Sequence, residues 1–474
     1  MTEPDTTKSD MAVSVHDSAD RLDQMPVNRW HRRVTAIFGL GNFFDIYQLA
    51  LGGILAVALL EPWHLSTTGK SLLIAVPFVG QFLGALALAR VADIRGRRAV
   101  FRFNLLAYAA LNLVVAAADN MVFLLIPLGL ACAFVSAETI LTDSYLAELL
   151  PARVRGRHIG WCYVVGLLSV PFLALFGSRV IASPIVAGID GWRWIPIFGA
   201  FGGFLVFLLR RSIPESPRWL ESRNQYAEAR WIVDRIATGG RGGFVGFDSH
   251  RSTAPDSEPA SAELVSHGGS LPRNGLRRLF APDLRRRTWM WLVFQPLQSI
   301  AFYGFGSLAP LVLIHKGYSV TQSLTYAALT YSGYPVGALA TTWLSEKLER
   351  KHLIVGAAAM AAICGVVFGT AHTTSVILVS GTVLSVCTNL FSSTYHIYQS
   401  EIFPTEVRAS AIGLCYSLSR ATGAMLPFAG LTILQRLGPG PLFIAVAAII
   451  VVLCLDVQLL GPRTRALSLE RIAP

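Results

Sequence analysis

The sequence predicts an all-α integral membrane protein with twelve transmembrane helices, arranged as two pseudo-symmetric six-helix bundles. Two observations predict this fold. Apolar stretches of about 20 residues, enough to span about 30 Å of hydrocarbon as a helix, recur along the chain, and the two halves of the chain repeat each other. Hydrophobic residues make up 53% of the chain and charged residues 15%, with a mean hydropathy of +0.51, unlike a soluble domain.

The repeat is visible in charged, glycine and proline landmarks that recur at one constant offset. Position 148 returns at 401 and position 155 at 408, an offset of 253 residues without a gap. Such a parallel duplication of a membrane bundle is typical of transporters whose two halves rock around a central site. The landmarks are Gly80, Gly84, Glu148, Pro151, Arg155 and Ile159, which return as Gly333, Gly337, Glu401, Pro404, Arg408 and Ile412.

The apolar stretches divide the chain into five regions. We predict a tail of residues 1–33, a first bundle over 34–210, a loop over 211–286, a second bundle over 287–460 and a tail over 461–474. The loop contains a short amphipathic helix near 226–236, expected on the membrane surface, and a Gly-, Ser- and Pro-rich stretch over 238–275, expected to be a disordered linker. The predicted spans are 34–60, 71–92, 99–118, 121–147, 158–182, 191–210, 287–315, 320–345, 352–372, 374–400, 408–436 and 439–460.

The formal net charge of +11 is explained by its placement. Most arginine and lysine residues precede the first span or lie on loops of one side, among them Arg29, Arg95, Arg153 and Lys351, while the opposite loops carry few. This asymmetry follows the positive-inside rule, so we expect both termini in the cytoplasm and the chain in the plasma (inner) membrane. The excess of basic over acidic residues therefore gives no indication of nucleic-acid binding. Residues 1–28 are polar and do not read as a signal peptide.

Loop motifs resemble those of the major facilitator superfamily and its sugar-porter branch. Residues 89–98 read ARVADIRGRR, similar to the superfamily signature Gly-x-Leu-Ala-Asp-Arg-x-Gly-Arg-Arg, with Ala89 and Ile94 as departures. PESPR at 214–218, ELLPARVRGR at 148–157 and EIFPTEVR at 401–408 resemble the sugar-porter signatures. The resemblance covers nearly the whole chain outside the tail and linker, and it implies the major facilitator fold and transport by alternating access.

Charged residues in these motifs are candidates for gating, because they lie at helix ends where they can pair in one conformation and separate in the other. An exposed pair contributes little, but a network that loses water on closure can bias a two-state equilibrium by a few kcal/mol. The alternative is that these groups only anchor loops. The predicted gating set is Asp93, Arg97, Arg98, Glu148, Arg155, Glu346, Arg350, Glu401 and Arg408.

Four further charged residues lie deep inside apolar spans. At 1.5 Å per residue, Asp45 and Arg420 lie roughly 18 Å from the cytoplasmic ends of spans 1 and 11, Glu138 roughly 15 Å and Asp143 roughly 7 Å from that of span 4. Burying such groups is costly unless they pair or face water, so they are functional candidates. The alternative is a static salt bridge between helices.

These positions resemble a particular part of the family, the niacin, organic-acid and synaptic-vesicle-protein-like proton symporters. Asp45-x-Tyr47 resembles their first-span element, although Gln48 stands where a second Asp is usual. Glu138 matches an acidic position of metabolite:proton symporters, and Arg420 resembles a span-11 arginine of this branch. The resemblance implies that Asp45 and Glu138 carry the proton and that Arg420 binds the substrate. Asp143 joins the predicted proton-coupling set as a further ionisable residue inside span 4.

Charge counting supports an anionic substrate. Ionised Asp45, Glu138 and Arg420 together carry a charge of −1, and a monocarboxylate would bring it to −2 in a poorly solvated cavity. Uptake of one or two protons removes this cost and frees Arg420, whose planar fork can hold both carboxylate oxygens. Aromatic and polar side chains of the same level could complete the site, although ordinary packing explains them equally well. The predicted substrate-binding set is Arg420, Tyr47, Gln48, Gln298, Tyr303 and His396.

The sequence contains no nucleophile motif, metal-ligand cluster or phosphate-binding loop, so we predict no enzyme activity, no metal and no cofactor. The predicted partners are a small substrate, expected to be a carboxylate, together with protons and the lipid bilayer, and we expect a monomer. A sugar or polyol transporter of the same fold and a drug or metabolite exporter are the alternatives. The sugar alternative is weakened because residues 394–400, TYHIYQS, lack the Gly-Pro-x-x-Trp element usual in sugar porters.

Overall fold

The computed structural model describes residues 17–462 except positions 96, 184, 212, 223–224, 239–278, 283 and 404. Side chains at some further positions, including 86–102, 138, 143, 346 and 405–410, are outside this description. The linker predicted over 238–275 therefore lies almost entirely outside the described residues.

Long helices cross the membrane in both halves. Within the described part of the chain, eight helical segments are long and apolar enough to cross a bilayer, and two shorter apolar helices accompany them. The first half contains α1 Asp17–Gln24, α2 Arg29–Ala58, α3 Thr67–Arg95, α4 Arg97–Ala116, α5 Met121–Leu149, α6 Ala152–Leu167, α7 Ser169–Ala182, the strands β1 Ile185–Val186 and β2 Ile189–Asp190, α8 Trp194–Arg210, α9 Pro217–Ser222 and α10 Tyr226–Ala237. The second half contains α11 Arg285–His315, α12 Val320–Tyr331, α13 Gly333–Lys347, α14 Arg350–Thr370, α15 Thr374–Ile402, α16 Thr405–Leu437 and α17 Pro439–Leu460.

The helices form twelve membrane spans, because two of these spans each consist of two consecutive helices. The helices α6 and α7 together form the fifth span, and α12 and α13 form the eighth. Each break precedes a proline, Pro171 or Pro335, which is the third residue of the helix that follows. Proline cannot donate the backbone hydrogen bond that would continue the preceding helix, but it is tolerated in a first helical turn. Helices α2 and α11 begin at 29 and 285, a few residues before the predicted spans.

The two bundles repeat the same close helix contact at the same offset. A methyl group at Gly80 would overlap the backbone of Gly129 on α5, and one at Gly333 on α13 would lie 2.5 Å from the carbonyl oxygen of Thr382 on α15. Positions 80 and 333, like 129 and 382, differ by 253. Gly84 and Gly337 likewise approach Ala133 and Val386. Small residues let helices approach closely within a membrane, so these glycines set the α3–α5 and α13–α15 packing.

Replacing Gly80 by alanine is expected to destabilise the first bundle. The new methyl group would meet backbone atoms, which cannot move aside as a side-chain end could, and overpacking of this kind costs about 1–3 kcal/mol. Heating the purified protein in detergent and measuring the remaining monodisperse fraction by size exclusion would report the loss. Gly356→Ala on α14, where a methyl group meets nothing within 4 Å, is the matched control. Equal melting of both variants would contradict the proposed role.

The face of the bundle that carries the described chain ends, called the terminal face here, is covered by short helices. The apolar sides of α1 and α10 pack with the ends of α2 and α5 in one cluster containing Leu22, Trp30, Leu146 and Ile232. Arg21 pairs with Asp234 at 2.6 Å. The amphipathic helix α10 therefore buries its apolar side against protein, not against the membrane surface where the sequence had placed it.

The two halves meet near the opposite face, called the distal face, along α3–α16 and α7–α12. Phe78 on α3 would lie 2.9 Å from a methyl group at Gly423 on α16, and Gly177 on α7 faces Leu324 on α12. Ser71 donates to the carbonyl oxygen of Pro427 at 3.3 Å. We call this contact the distal seam. It is mostly apolar and continuous with a core cluster drawn from both halves.

At the distal face, a cationic side chain donates hydrogen bonds to the carbonyl oxygens at equivalent helix ends of the two halves. The cation is an arginine in the first half and a lysine in the second. Arg193 donates to the carbonyl oxygens of Ala116 and Ala118 at the end of α4. Lys316 donates to those of Gly369 and Ala371 at the end of α14, the same positions after the offset of 253. The last carbonyls of a helix have no hydrogen-bond partner within the helix. Each cation therefore supplies the hydrogen bonds that these carbonyls lack at equivalent positions of the two halves.

Candidate functional site

Arg420 lies on α16 at the meeting of the two halves, and its side chain is buried with 7% of its surface exposed. Its Nη1 donates to the hydroxyl oxygen of Tyr303 on α11 at 2.7 Å, and its Nη2 donates to the hydroxyl oxygen of Tyr416 one turn earlier. The guanidinium carbon lies 4.4 Å from the centroid of the Tyr416 ring. Among the described residues, no carboxylate forms an ion pair with Arg420. The cation is therefore held by neutral phenols and aromatic faces.

Aromatic rings from both halves surround this cation. Phe78 of the first half packs against Tyr303 with ring centroids 4.7 Å apart. Tyr395 on α15 is a further phenol near the guanidinium, without a hydrogen bond to it among the described contacts. We call Phe78, Tyr303, Tyr395, Tyr416 and Arg420 the Arg420 cluster. The cluster combines one fixed positive charge with several aromatic faces.

His396 borders the Arg420 cluster and remains accessible. Its ring lies 4.3 Å from that of Tyr395, centroid to centroid, and its Nδ1 is 2.8 Å from the carbonyl oxygen of Ser392. A carbonyl can only accept a hydrogen bond, so Nδ1 carries the proton and a neutral ring keeps Nε2 as an acceptor. The side chain is exposed although α15 is a membrane-spanning helix. His396 thus offers a titratable group beside Arg420.

Asp45 is buried on α2 in the first bundle, with 5% of its surface exposed. It lies between Asn42, which donates to the Cys162 carbonyl oxygen on α6, and Gln48, whose carbonyl oxygen is 3.9 Å from the Cys132 sulfur on α5. The other predicted carboxylates, Glu138 and Asp143, lie on the helix α5, but their side chains are outside the described ones. The structure therefore brings the helix of Asp45 next to the helix that carries them without defining the contacts of these carboxylates.

Gln298, the second-half equivalent of Asp45, lies in a polar cluster that joins α11 to α16. Its Nε2 donates to Ser419 Oγ at 2.9 Å and to Gln295 Oε1 at 3.1 Å. Ser299 and Ser419 share a hydrogen bond of 2.6 Å. Because Ser419 precedes Arg420, this cluster fixes the helix turn from which the guanidinium extends. This position favours a role for the Gln298 amide in holding the helix turn that carries Arg420, through its hydrogen bond to Ser419.

Tyr47 and Gln48 are fully buried. The Tyr47 hydroxyl donates to the carbonyl oxygen of Ile195 on α8 at 2.8 Å, and its ring packs against Phe44 and Phe198. This position does not favour substrate contact by Tyr47, because its hydroxyl is engaged and its ring faces α8. The backbone carbonyl oxygen of Gln48 faces the Cys132 sulfur on α5.

Three of the predicted gating residues take part in described ion pairs. Glu401 on α15 pairs with Arg350 at the start of α14, at 3.3 Å. Arg155 on α6 pairs with Asp23 of α1 at 3.1 Å. Both pairs lie at the terminal face. Side chains of the remaining charged motif residues, Asp93, Arg97, Arg98, Glu346 and Arg408, are outside the described part, whereas Glu148 is half-buried at the end of α5.

Reversing one charge of the Arg350–Glu401 pair is expected to be destabilising, and reversing both to restore stability. Both side chains are four-fifths buried, so Glu401→Arg would place two cations together in a partly desolvated site, a change worth about 1 kcal/mol or more. Thermal stability of Glu401→Arg, Arg350→Glu and the double exchange, measured in one detergent, tests the pair. Additive losses in the double variant would show that the two side chains do not interact.

Several residues of the site have no signal of their own in the sequence. Tyr416 accepts a hydrogen bond from Arg420, and only its one-turn spacing from Arg420 could have indicated this. Phe78 comes from the other half. Arg210, which marks the end of the sixth span in the sequence, is buried with 5% of its surface exposed.

Two six-helix bundles that meet around a buried cation and aromatic walls define a membrane transporter. A family profile described as sugar (and other) transporter matches residues 34–474. The chain belongs to this family of the major facilitator superfamily. It is 32% identical to the protein YyaJ of Bacillus subtilis, over 85% of this chain and 86% of that protein. It is 26% identical to the niacin transporter NiaP of Acinetobacter baylyi, over 96% of this chain and 99% of that protein.

The fold is shared with solved transporters. The inward open conformation of the xylose transporter XylE from Escherichia coli matches with a TM-score of 0.71 at 19% identity, over 94% of this chain and 99% of that one. The chain is therefore a multi-pass membrane transporter of small molecules with the twelve-helix major facilitator fold, as the sequence predicted, and not an enzyme.

Proposed function

We propose that the protein is a proton-coupled symporter of small organic anions, with aromatic carboxylates as the favoured class. The observation that carries this proposal is the Arg420 cluster, a buried guanidinium without a carboxylate partner among the described residues and lined by aromatic faces from both halves. A buried charge is stable only when it is paired or hydrogen-bonded. A substrate carboxylate would supply the missing counter-charge.

The geometry of the cluster suits an aromatic monocarboxylate. The Arg420 fork can exchange its phenol partners for two carboxylate oxygens. The rings of Phe78, Tyr303 and Tyr416 can pack against a flat substrate ring in offset or edge-to-face contacts. The relative NiaP is a transporter of niacin, an aromatic carboxylate of this kind. A neutral sugar would leave the Arg420 charge uncompensated, which makes the sugar alternative weaker.

Proton coupling is assigned to Asp45, with Glu138 and Asp143 on the neighbouring helix α5. When an anionic substrate enters, a proton on one of these carboxyls keeps the net charge of the poorly solvated interior from becoming more negative. The predicted gating residues would act at the terminal face. His396 would border the substrate, and Gln298 would support the helix turn that carries Arg420.

We further propose that the terminal face is cytoplasmic and that the protein resides in the cell's plasma membrane. The arginine-rich loops favour this orientation through the positive-inside rule. With the distal seam closed, the described conformation would then be one whose outer side is shut.

Uptake into proteoliposomes tests the proposal. Radiolabelled nicotinate, benzoate and xylose would be offered separately, with an imposed gradient that is acidic outside and with the gradient collapsed by an ionophore. We expect nicotinate or benzoate to accumulate only when the gradient is present, and xylose to show no protein-dependent uptake. Gradient-independent uptake of xylose without carboxylate uptake would refute the proposal in favour of a sugar uniporter.

A further inference from the structure

A cavity of about 420 Å³ lies at the distal face of the second half, where α11 and α14 end and α17 begins. It shares no residue with the Arg420 cluster. Its volume falls within the range of about 300–1,000 Å³ that is usual for small-molecule sites. The side chains of both lining histidines are exposed. The lining residues that the argument uses are His315, Lys316, Tyr318, His372, Ile377 and Pro439.

Lys316 is the cation of this cavity, and its bonding is incomplete. Its Nζ donates to the carbonyl oxygens of Gly369 at 2.8 Å and Ala371 at 2.6 Å. An ammonium group has three N–H donors, so one donor has no acceptor among the described contacts. Partial burial lowers the pKa of Lys316. Among the described residues, no carboxylate forms an ion pair with it.

The first half shows what the second half lacks at this place. There Arg193 makes the equivalent contacts to the carbonyl oxygens at the end of α4, and it also pairs with Asp119 at 2.7 Å. His372 stands 253 positions after Asp119, at the equivalent site. The second half therefore has the cation but, in place of its carboxylate, a side chain that is neutral or positive.

No other acidic residue of the second half can supply the missing charge. The distal loops of the first half carry Glu61, Asp119 and Asp190, whereas the second half has no Asp or Glu at 287–345, 350–400 or 407–455. The first turn of α17 also lines the cavity, and the partial positive charge of a helix N-terminus favours anions. The charges around this cavity are thus all of one sign.

We propose that this cavity binds a small oxyanion from solution, a carboxylate or a phosphate, at a site separate from the Arg420 cluster. The bound anion takes the place that Asp119 has in the first half. Lys316 supplies the charge and its remaining N–H donor, and ring nitrogens of His315 and His372 can donate to further oxygens. The Tyr318 ring and Ile377 offer apolar surface to the rest of the ligand. This site does not depend on the proposed function.

Histidine footprinting of the purified protein tests the site directly. Diethyl pyrocarbonate modifies accessible histidines, and mass spectrometry identifies which ones react, in a detergent free of anionic lipid. We expect inorganic phosphate to slow the modification of His315 and His372, and chloride at the same ionic strength to leave it unchanged. His352, an exposed histidine at the opposite end of α14, is the internal control and should react equally in both salts.

The variant His372→Asp gives the second half the carboxylate of the first. It leaves the hydrogen bonds of Lys316 in place, so the ends of the helices stay satisfied. We expect it to fold with unchanged or higher thermal stability, and to lose both the protection of His315 by phosphate and the thermal stabilisation by phosphate. His352→Asp makes the same chemical change at the terminal face and should keep the wild-type response.

Three results would overturn the proposal. The first is equal modification of His315 and His372 in phosphate and in chloride. The second is an unchanged phosphate response in His372→Asp. The third is protection by added phosphatidylglycerol but not by phosphate or benzoate, which would assign the cavity to a lipid headgroup. Should His372→Asp fail to fold, the wild-type footprint still decides between the outcomes.

Discussion

Replacing Arg420 by alanine is expected to lower uptake of nicotinate by about 100-fold or more. Loss of one partner from a buried, hydrogen-bonded charge pair costs about 2–5 kcal/mol, and each 1.4 kcal/mol corresponds to about tenfold in affinity. The variant would also leave the hydroxyls of Tyr303 and Tyr416 without their donor. Initial uptake rates over a range of nicotinate concentrations, together with ligand-induced thermal stabilisation of the purified protein, measure the effect.

Two further variants make the Arg420 result specific. Arg420→Lys keeps the charge but loses the planar fork, so it should also be impaired, although less than Arg420→Ala. Arg436→Ala removes an exposed arginine from the far end of the same helix and should transport normally. Wild-type nicotinate binding by Arg420→Ala would remove the basis for an anion site in the cluster.

Replacing Asp45 by asparagine is expected to abolish accumulation of nicotinate against its gradient while leaving exchange intact. Asparagine has nearly the same size but cannot bind and release a proton, so the carrier would cycle without the pH gradient. Accumulation under an imposed gradient and counterflow at equal pH on both sides distinguish these two activities. Asp45→Glu, which keeps a titratable carboxyl, is the matched variant and should retain part of the accumulation.

An Asp45→Asn variant that still concentrates nicotinate in response to the pH gradient would place the proton elsewhere. The carboxyls of Glu138 and Asp143 would then be examined by the same substitution. Loss of both accumulation and exchange would instead assign Asp45 to substrate binding or to the stability of the first bundle.

The membrane fold could be predicted from the sequence because its main determinants are local or repeated. Apolar length alone defines a span in lipid, since every backbone polar group must be satisfied within the helix. The offset of 253 residues then relates the bundles, and Gly80 with Gly333 shows that the offset extends to individual helix contacts. The depth of Arg420 within its span could also be predicted from the sequence, because a helix advances by a fixed rise per residue.

The partners of the buried charges could not be predicted. Which face of a helix meets which neighbour depends on packing between segments far apart in the chain, as for Phe78 against Tyr303. Arg210 escaped notice because a cation at a span end usually anchors a loop, and only the missing side chain at Gly41 gives it room inside the bundle. The apolar side of α10 fits a membrane surface as well as a protein surface, and the α1 contacts decided between them.

The distal seam has a thermodynamic consequence for the transport cycle. Opening it would expose apolar side chains to water, and exposure of apolar surface raises the heat capacity. The ion pairs described at the terminal face, Arg155–Asp23 and Arg350–Glu401, each lie within one half, so opening the seam does not require them to separate. The free-energy difference between the two conformations must therefore curve with temperature. Cooling weakens apolar association, so it shifts the resting population toward the conformation in which the distal seam is open.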